Sequence, residues 1–328
     1  MRPFDFQRPD SLAHAAQLTG DAAGMPIAGG TNLLDLMKLQ VEVPQTLVDV
    51  NRLGMTEIAD TDEGGLRIGA LVTNTATANH EHVRRDYPVL PRAILAGATQ
   101  QLRNKATTGG NLCQRTRCYY FTNIDQPCNK RDPGSGCGAI DGIAKLHAVL
   151  GTSSQCIATY PGDMAVAMSA LDATVEIAGE GGAERSVPVR KFHTLPDDTP
   201  ERDNVLEPGE IITGVTLPPP VEGTQIYRKV RERSSYAFAL VSVAAVVALE
   251  DGAITRADLA FGGLAHKPWH DPRLSELLVG KAPSARLFDE AADLLLEDAQ
   301  GYGENDFKIP LARRTLAAVL AQATETDL

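Results

Sequence analysis

The sequence predicts an α+β fold, in which hairpins and helices follow one another without a regular strand–helix–strand alternation. Turn-forming residues 61–65 separate two strand-like segments, and Asp251-Gly252 separates two more, which is a strong hairpin signal. Two amphipathic helices are predicted near the end of the chain, at 285–297 and 311–323. The 328 residues are enough for two or three domains.

The remaining elements follow in order along the chain. Apolar spacing predicts helices at 11–18, 33–39, 74–83, 89–98 and 163–171. Short apolar runs and turn signals predict strands at 25–28, 46–50, 56–60, 66–72, 173–179, 184–190, 226–233, 239–249 and 254–263. Residues 101–138 show little periodicity. A segment of this length without regular structure is uncommon in a compact domain unless it has a function, so a functional role is predicted for it. The run TLPPP at 216–220 is the predicted domain boundary.

Composition and charge exclude several classes of protein. The formal charge of −11 argues against a nucleic-acid-binding protein, which normally carries a basic face. The longest apolar run, 236–249, is too short to span a membrane. The opening MRPFDFQRPD has no apolar segment of the secretory type, so no signal peptide is expected. Rossmann and Walker signatures are absent, and no acid–base pair or nucleophile–histidine constellation stands out.

Two glycine pairs are candidate phosphate loops. One lies in Ala28-Gly29-Gly30-Thr31-Asn32, between a predicted strand and a helix, and the other in Thr107-Thr108-Gly109-Gly110-Asn111. Residues without a β-carbon let backbone amides approach a phosphate closely, while Thr and Asn beside them can donate to oxygen. The alternative is that both are ordinary tight turns or helix entries.

The cysteines are confined to 44 consecutive residues, at Cys113, Cys118, Cys128, Cys137 and Cys156. A chain of this length does not need disulfides for stability, so a metal or iron–sulfur site is the favoured interpretation over disulfides. No C-x-x-C pair occurs, and the spacing alone does not name the metal.

The segment around these cysteines is basic. Between residues 101 and 131 the only acid is Asp125, against six basic residues: Arg103, Lys105, Arg115, Arg117, Lys130 and Arg131. This charge favours an anionic guest, either a thiolate-ligated cluster, a pyrophosphate or both. A solvated basic loop or a subunit-docking patch is the alternative.

Several motifs together resemble the FAD-binding medium subunit of the xanthine dehydrogenase/aldehyde oxidoreductase family. They are PIAGGTNLLDLMK, ATTGGNLCQRTRC, QPCNKRDPGSGC, GDMAVAMSALDA, PGEIITGVTLPPP and RSSYAFALVSVAA, and the resemblance covers the whole chain. It is strongest to the flavin subunit of periplasmic-type aldehyde oxidoreductases that carry an additional [4Fe–4S] cluster. It implies a two-part FAD-binding domain of the PCMH type (1–55 and 56–220, with a Cys-rich insertion at about 112–157) and a smaller α+β C-terminal domain (221–328).

The resemblance also implies the cofactor-binding residues. They are Ile27, Ala28, Gly29, Gly30, Thr31, Asn32 and Leu33 in a first FAD loop, Thr107, Thr108, Gly109, Gly110 and Asn111 in a second, and Asp163 and Lys229 near the flavin. The alternatives are a plain helix N-cap for Asp163 and a strand-surface lysine for Lys229. No histidine adjoins the first loop, so non-covalent FAD is expected.

By the same resemblance, the cluster ligands are Cys118, Cys128, Cys137 and Cys156, and Cys113 is a bystander. Four thiolates are the usual ligand set of a [4Fe–4S] cluster.

The implied function is electron transfer within a heterotrimer. A molybdenum-cofactor large subunit would oxidise an aldehyde to a carboxylic acid, and a small subunit would hold [2Fe–2S] clusters. This chain would take the electrons onto FAD and pass them to an external acceptor. The alternatives are the equivalent subunit of a related molybdenum hydroxylase or of a 4-hydroxybenzoyl-CoA reductase-like enzyme, a self-sufficient flavin oxidase, and a zinc-stabilised assembly subunit without redox chemistry. A periplasmic location by co-export with a partner that bears a twin-arginine signal is expected, with the cytoplasm as the alternative.

Overall fold

The chain begins with a small parallel sheet. The computed structural model describes residues 1–20 and 24–327; residues 21–23 and 328, which fall within the predicted domains 1–55 and 221–328, lie outside the described residues. Three strands pair in the order β1-β3-β2: β1 (Asp5–Gln7), β2 (Gly24–Ile27) and β3 (Thr46–Asp49). They are joined by α1 (Leu12–Gly20) and α2 (Leu33–Lys38), and such helical crossovers allow parallel pairing.

A five-stranded antiparallel sheet forms the centre of the molecule, in the order β4-β5-β8-β6-β7. Its strands are β4 (Ile58–Asp60), β5 (Leu66–Gly69), β6 (Thr174–Ala178), β7 (Glu184–Pro188) and β8 (Ile211–Leu217). The helices of this part are α3 (Asn74–Asn79), α4 (Glu81–Asp86), α5 (Val89–Ala96), α6 (Gln100–Arg103), α7 (Thr108–Leu112), α8 (Tyr119–Thr122), α9 (Met164–Ala170) and α10 (Val189–Phe192).

The last third of the chain is a three-stranded antiparallel sheet covered by helices. The strand order is β11-β10-β9, with β9 (Thr224–Val230), β10 (Val241–Glu250) and β11 (Ala253–Gly262). The helices are α11 (Pro272–Leu278), α12 (Ala285–Leu295) and α13 (Lys308–Thr324). The predicted α+β class is confirmed.

Strand β10 contributes to two hydrophobic cores. Ala244 and Val246 pack in the core that includes the central sheet and α9. Val243 and Val247, which point to the opposite face, pack in the core formed with the C-terminal helices. Because successive side chains of a strand alternate between faces, one strand joins the two halves of the molecule.

Some elements differ from the predictions. The helix predicted at 74–83 is two helices, α3 and α4, because His80 is extended (φ −65°, ψ 133°) and separates them. The predictions also missed the strands β1 and β8 and the helices α6, α7, α8, α10 and α11. Among the described residues, no helix has the length and apolar character needed to cross a bilayer.

Candidate functional site

A cleft of about 780 Å³ lies between three parts of the chain: the first predicted loop at residues 27–33, the region from α5 to α7, and the segment that follows β9. Its volume is in the range of cofactor-binding pockets. The first predicted FAD loop, residues 27–33, lines it at every position, and Asp163 and Lys229 line it as well. Of the second predicted loop, only Thr107, Gly110 and Asn111 reach the wall of the cleft.

The first loop presents a row of backbone amides. None of the described residues accepts a hydrogen bond from the N–H groups of residues 29–33. Gly30 has a φ of +70°, a left-handed conformation that glycine adopts without strain. Successive unpartnered amides around such a residue form a concave surface that binds anions. This loop is therefore suited to hold a pyrophosphate.

Contacts from other segments fix the first loop. The backbone carbonyl of Ala28 accepts a hydrogen bond from Asn51 Nδ2 at 3.1 Å, and Asn32 Oδ1 accepts one from the Arg115 N–H at 2.9 Å. A β-carbon at Gly29 would lie 1.9 Å from the carbonyl oxygen of Lys105, just before the second loop. Gly29 therefore allows the two predicted loops to pack against each other.

The second predicted loop is the start of helix α7, and its amides are already bonded. The N–H groups of Thr108 and Gly109 donate to the carbonyls of Val72 and Ala70 at 2.9 and 2.8 Å, and that of Gly110 donates to Thr107 Oγ1 at 3.2 Å. Thr108 and Gly109 are buried away from the cleft. The expectation that the glycine amides of this loop face a phosphate does not fit this geometry.

Asp163 and Lys229 form a buried ion pair at the cleft, with 2.8 Å between Oδ2 and Nζ. The other carboxylate oxygen of Asp163 accepts a hydrogen bond from the Tyr227 hydroxyl at 2.5 Å. Asp163 stands at the N-cap of helix α9, but its side chain makes no capping hydrogen bond, so a plain N-cap does not account for it. The side chain of Lys229 is only 4% exposed, so it is not a surface lysine. Because Asp163 precedes α9 and Lys229 lies on β9, the pair joins the two halves of the molecule.

All five cysteines are free thiols. Cys118, Cys128, Cys137 and Cys156 line one cavity, whereas Cys113 lines the cleft instead. The cavity measures about 10 Å³, room for about one water molecule. Four thiols and no carboxylate around one space suit an iron–sulfur cluster, although the side chains would have to turn outward to admit one.

The half-buried Cys118 lies beside a histidine. Burial raises the pKa of Cys118 to about 12, against the opposing effect of the Phe121 and Tyr120 backbone N–H groups. His147 Nε2 lies 3.0 Å from the Cys118 sulfur. No group of three or more His, Cys, Asp or Glu side chains within 1–20 and 24–327 is arranged to hold a single metal ion.

Two of the six basic residues of the cysteine segment, Arg115 and Lys130, are paired with acids elsewhere in the chain. Asp203 pairs with Arg115 Nε at 2.7 Å and with the buried Lys130 Nζ at 2.6 Å. Burial raises the pKa of Asp203, but Lys130 and Arg115 outweigh this effect and hold it at about 2. Arg131 donates to loop carbonyls, including that of Phe121 at 2.8 Å. The local excess of positive charge counted along the sequence is therefore smaller in the folded chain.

Sequence reasoning missed three residues of these sites: Tyr227, Asp203 and His147. Tyr227 could have been found, because it lies two residues before Lys229 and therefore on the same face of a predicted strand. Asp203 and His147 are brought in by long-range packing and carry no local signal.

Comparisons with known proteins agree along the whole chain. Residues 2–220 match the family described as "FAD binding domain in molybdopterin dehydrogenase", and residues 225–323 match the "CO dehydrogenase flavoprotein C-terminal domain". The chain is 54% identical to the aldehyde oxidoreductase FAD-binding subunit PaoB of Escherichia coli K12, over 98% of this chain and 99% of that protein. It is 26% identical to the carbon monoxide dehydrogenase medium chain of Afipia carboxidovorans, over 98% and 96%.

Solved structures share the architecture. The crystal structure of quinoline 2-oxidoreductase from Pseudomonas putida 86 superimposes with a TM-score of 0.74 and 26% identity, over 99% of this chain and 98% of that one. Reconstituted CO dehydrogenase from Oligotropha carboxidovorans gives a TM-score of 0.77 at 23% identity, over 99% of both chains, and shows the same fold. The chain therefore belongs to the family of FAD-binding subunits of molybdenum-containing dehydrogenases, the xanthine dehydrogenase family.

Proposed function

We propose that this chain is the electron-transfer FAD subunit of a molybdenum-containing aldehyde oxidoreductase. The single observation that carries the FAD site is the row of unpartnered amides at residues 29–33, which opens into a cleft of about 780 Å³. The aldehyde as substrate class rests on the 54% identity to an aldehyde oxidoreductase FAD-binding subunit.

In this proposal the first loop binds the pyrophosphate of FAD through its backbone. The amides of residues 29–33 donate to phosphate oxygens, and Gly30 keeps the loop concave. Of the second loop, Thr107, Gly110 and Asn111 contact the cofactor. Thr108 and Gly109 support that contact by anchoring α7 to the carbonyls of Val72 and Ala70.

Asp163 and Lys229 hold the part of the cofactor deeper in the cleft. Their charges are already matched to each other, so they supply oriented hydrogen-bonding groups with little net charge. FAD supplies the redox chemistry when it is bound, and the chain supplies position and the exclusion of water. Partner subunits with molybdenum cofactor and [2Fe–2S] clusters would deliver electrons, which leave to an external acceptor.

We further propose that Cys118, Cys128, Cys137 and Cys156 bind a [4Fe–4S] cluster. Their common cavity, the free state of their thiols and the separation of Cys113 from them support this ligand set. The backbone bridge between Cys128 and Cys137 places two of the four ligands opposite each other. Outward rotation of the thiols would enlarge the cavity for the cluster.

Analysis of the purified complex for FAD, iron, acid-labile sulfide, molybdenum and zinc tests both proposals. One FAD and about four irons beyond those of the partner clusters are expected. A colourless complex that contains zinc but neither flavin nor iron would refute them in favour of the assembly subunit.

A cysteine-to-serine series tests the ligand assignment. We expect loss of about four irons for each of Cys118→Ser, Cys128→Ser, Cys137→Ser and Cys156→Ser. Cys113→Ser is the matched control and should keep its iron, because Cys113 faces the cleft. Iron loss in the control equal to that in the others would show the assignment to be wrong.

The periplasmic location is also a proposal, and co-export with a signal-bearing partner is its mechanism. Cell fractionation after deletion of the partner's signal should move this chain to the cytoplasm. Unchanged recovery in the periplasm would refute co-export.

A further inference from the structure

Asn74 is a buried amide at the wall of the cleft and belongs to neither predicted loop. It is the first residue of α3, it lines the cleft, and it is only 4% exposed. Its Oδ1 is sealed from solvent and accepts no hydrogen bond from the residues that the structure describes. An unsatisfied polar atom in a protein interior is rare and destabilising, so its presence in a native structure needs a reason.

The other end of this amide is open to the cleft. Within residues 1–20 and 24–327, Nδ2 also has no hydrogen-bond partner, but it is not sealed from solvent as Oδ1 is. Because the side chain is almost wholly buried and the residue lines the cleft, Nδ2 is the atom that a bound molecule can reach. An amide nitrogen offers two N–H donors and no acceptor. Its partner in the cleft is therefore a hydrogen-bond acceptor.

The backbone places Asn74 where the two predicted loops meet. Its N–H donates to the carbonyl of Ala106 at 2.8 Å, and Thr73 forms a backbone bridge with Thr107, so the start of α3 is tied to the second loop. A β-carbon at Gly29 would lie 3.3 Å from the Ala106 nitrogen, which brings the first loop to the same place. The Asn74 amide is thus a neighbour of the proposed pyrophosphate loop.

We infer that Asn74 donates an Nδ2–H hydrogen bond to an oxygen in the polar linker of FAD, meaning its pyrophosphate and the sugar groups attached to it. Once the first loop holds the pyrophosphate, these oxygens are the acceptors that lie beside Asn74. The inference rests on the proposed FAD site and adds a binding residue from outside both loops. Because Oδ1 stays unpartnered, the folded chain gives up some stability to keep this donor in the cleft.

This arrangement predicts opposite effects of one substitution on stability and on binding. Asn74→Leu nearly keeps the volume of the side chain, but it removes both the donor and the sealed Oδ1. In fluorescence titration of the deflavinated chain, we expect the affinity for FAD to fall about fivefold, the net effect of one hydrogen bond. The melting temperature of the same deflavinated variant should stay unchanged or rise, whereas loss of a merely structural residue would lower it.

A second variant and a control sharpen the test. Asn74→Asp has the same shape but presents acceptors only, and its charge repels the pyrophosphate. We expect it to weaken FAD binding more than Asn74→Leu does, by about tenfold or more. Asn79→Leu is the matched control, because Asn79 lies on the same helix but is exposed and donates to the Thr75 carbonyl at 3.0 Å. Its affinity for FAD should equal that of the parent.

An affinity equal to that of the parent chain in a folded Asn74→Leu variant overturns the inference, and so does a lower melting temperature without weaker binding. If Asn74→Leu does not fold, Asn74→Ala takes its place, since it only shortens the side chain, and it too must weaken FAD binding about fivefold. An unaltered chain that binds no FAD refutes the proposed function instead, so the two failures are distinguishable.

Discussion

Gly30 and Gly64 offer a matched pair of residues with the same backbone strain. Both have left-handed φ values, +70° and +82°, so an alanine costs each site roughly 1 kcal/mol. Gly30 lies in the cleft loop, where a β-carbon would lie 2.9 Å from Leu34 Cδ1 and displace that side chain, whereas a β-carbon at Gly64 would meet nothing within 4 Å. We expect Gly30→Ala to weaken FAD binding at least about fivefold and Gly64→Ala to leave it unchanged, in fluorescence titration of the deflavinated chain. Equal affinities in the two variants would contradict the proposed pyrophosphate loop.

The Asp163–Lys229 pair allows structural and binding roles to be separated. Lys229→Met leaves a buried carboxylate uncompensated, so we expect a loss of about 3–5 kcal/mol in the free energy of unfolding. Adding Asp163→Asn removes the unpaired charge and should recover most of that loss. Denaturant unfolding measures both variants. FAD titration of the double variant then reports the contribution of the pair to binding, which we expect to be reduced. A double variant as unstable as the single one would contradict this account.

The ion pairs of Asp203 predict that the folded protein loses stability in acid. Lys130 and Arg115 hold its pKa at about 2 against the effect of burial, below the value of about 3.9 for an unfolded chain. The stabilisation, roughly 2.5 kcal/mol, is therefore complete above about pH 4 and is lost as the pH falls to about 2. Urea unfolding between pH 6 and 2 should show this slope.

Asp203→Asn should flatten that slope and lower stability at neutral pH, since Lys130 would remain buried without a carboxylate. Asp62→Asn, in the exposed turn between β4 and β5, is the control and should keep the slope of the parent protein. An unchanged slope in Asp203→Asn would show that other groups cause the loss of stability in acid.

At the scale of elements, substitutions in strand β10 test how much its buried side chains contribute to stability. Val246 is fully buried, whereas Leu249 on the same strand is 39% exposed. We expect Val246→Ala to lower the free energy of unfolding by about 2 kcal/mol and Leu249→Ala by less than about 1 kcal/mol. Thermal or denaturant unfolding checks both. Similar losses would show that Val246 does not contribute to the core of the central sheet.

Local sequence signals predicted most of these elements, and the misses have physical causes. The β10–β11 hairpin was predictable because Asp251-Gly252 favours the tight turn between two apolar runs, and both residues do have positive φ. Strand β8 was missed because both strands that it pairs with, β5 and β6, lie more than 30 residues earlier in the chain. The break at His80 was missed because apolar spacing continues through it.

The candidate site was predicted unevenly for the same reason. The first loop is a local motif, and its residues all reach the cleft. In the second loop, a similar glycine pair lies in helix α7. There the carbonyls of residues 70 and 72 accept hydrogen bonds from its amides. His147 and Asp203 reach their partners through contacts 29 and 73 residues distant in sequence. No pattern of neighbouring residues encodes such contacts.

At the scale of the whole molecule, the cleft takes its walls from both halves of the chain. A ligand that binds only the folded state stabilises everything that shapes its site. We expect FAD at about 100 times its Kd to raise the free energy of unfolding by about 2.7 kcal/mol. Hydrogen exchange should slow both at residues 29–33 and on β9 around Lys229. Protection confined to the first loop would mean that the C-terminal half does not contact the cofactor.

The sharing of β10 between two cores also bears on how fast electrons can move. Domains that close over a ligand usually pivot about a few loop residues, but here any pivot would pull a strand out of one of two close-packed interiors. The Asp163–Lys229 pair, which lies across the same junction at the cleft, is therefore held in a constant arrangement on the timescale of turnover. Since tunnelling rates depend steeply on distance, we expect driving force, and not domain motion, to set the rate at which the proposed FAD exchanges electrons.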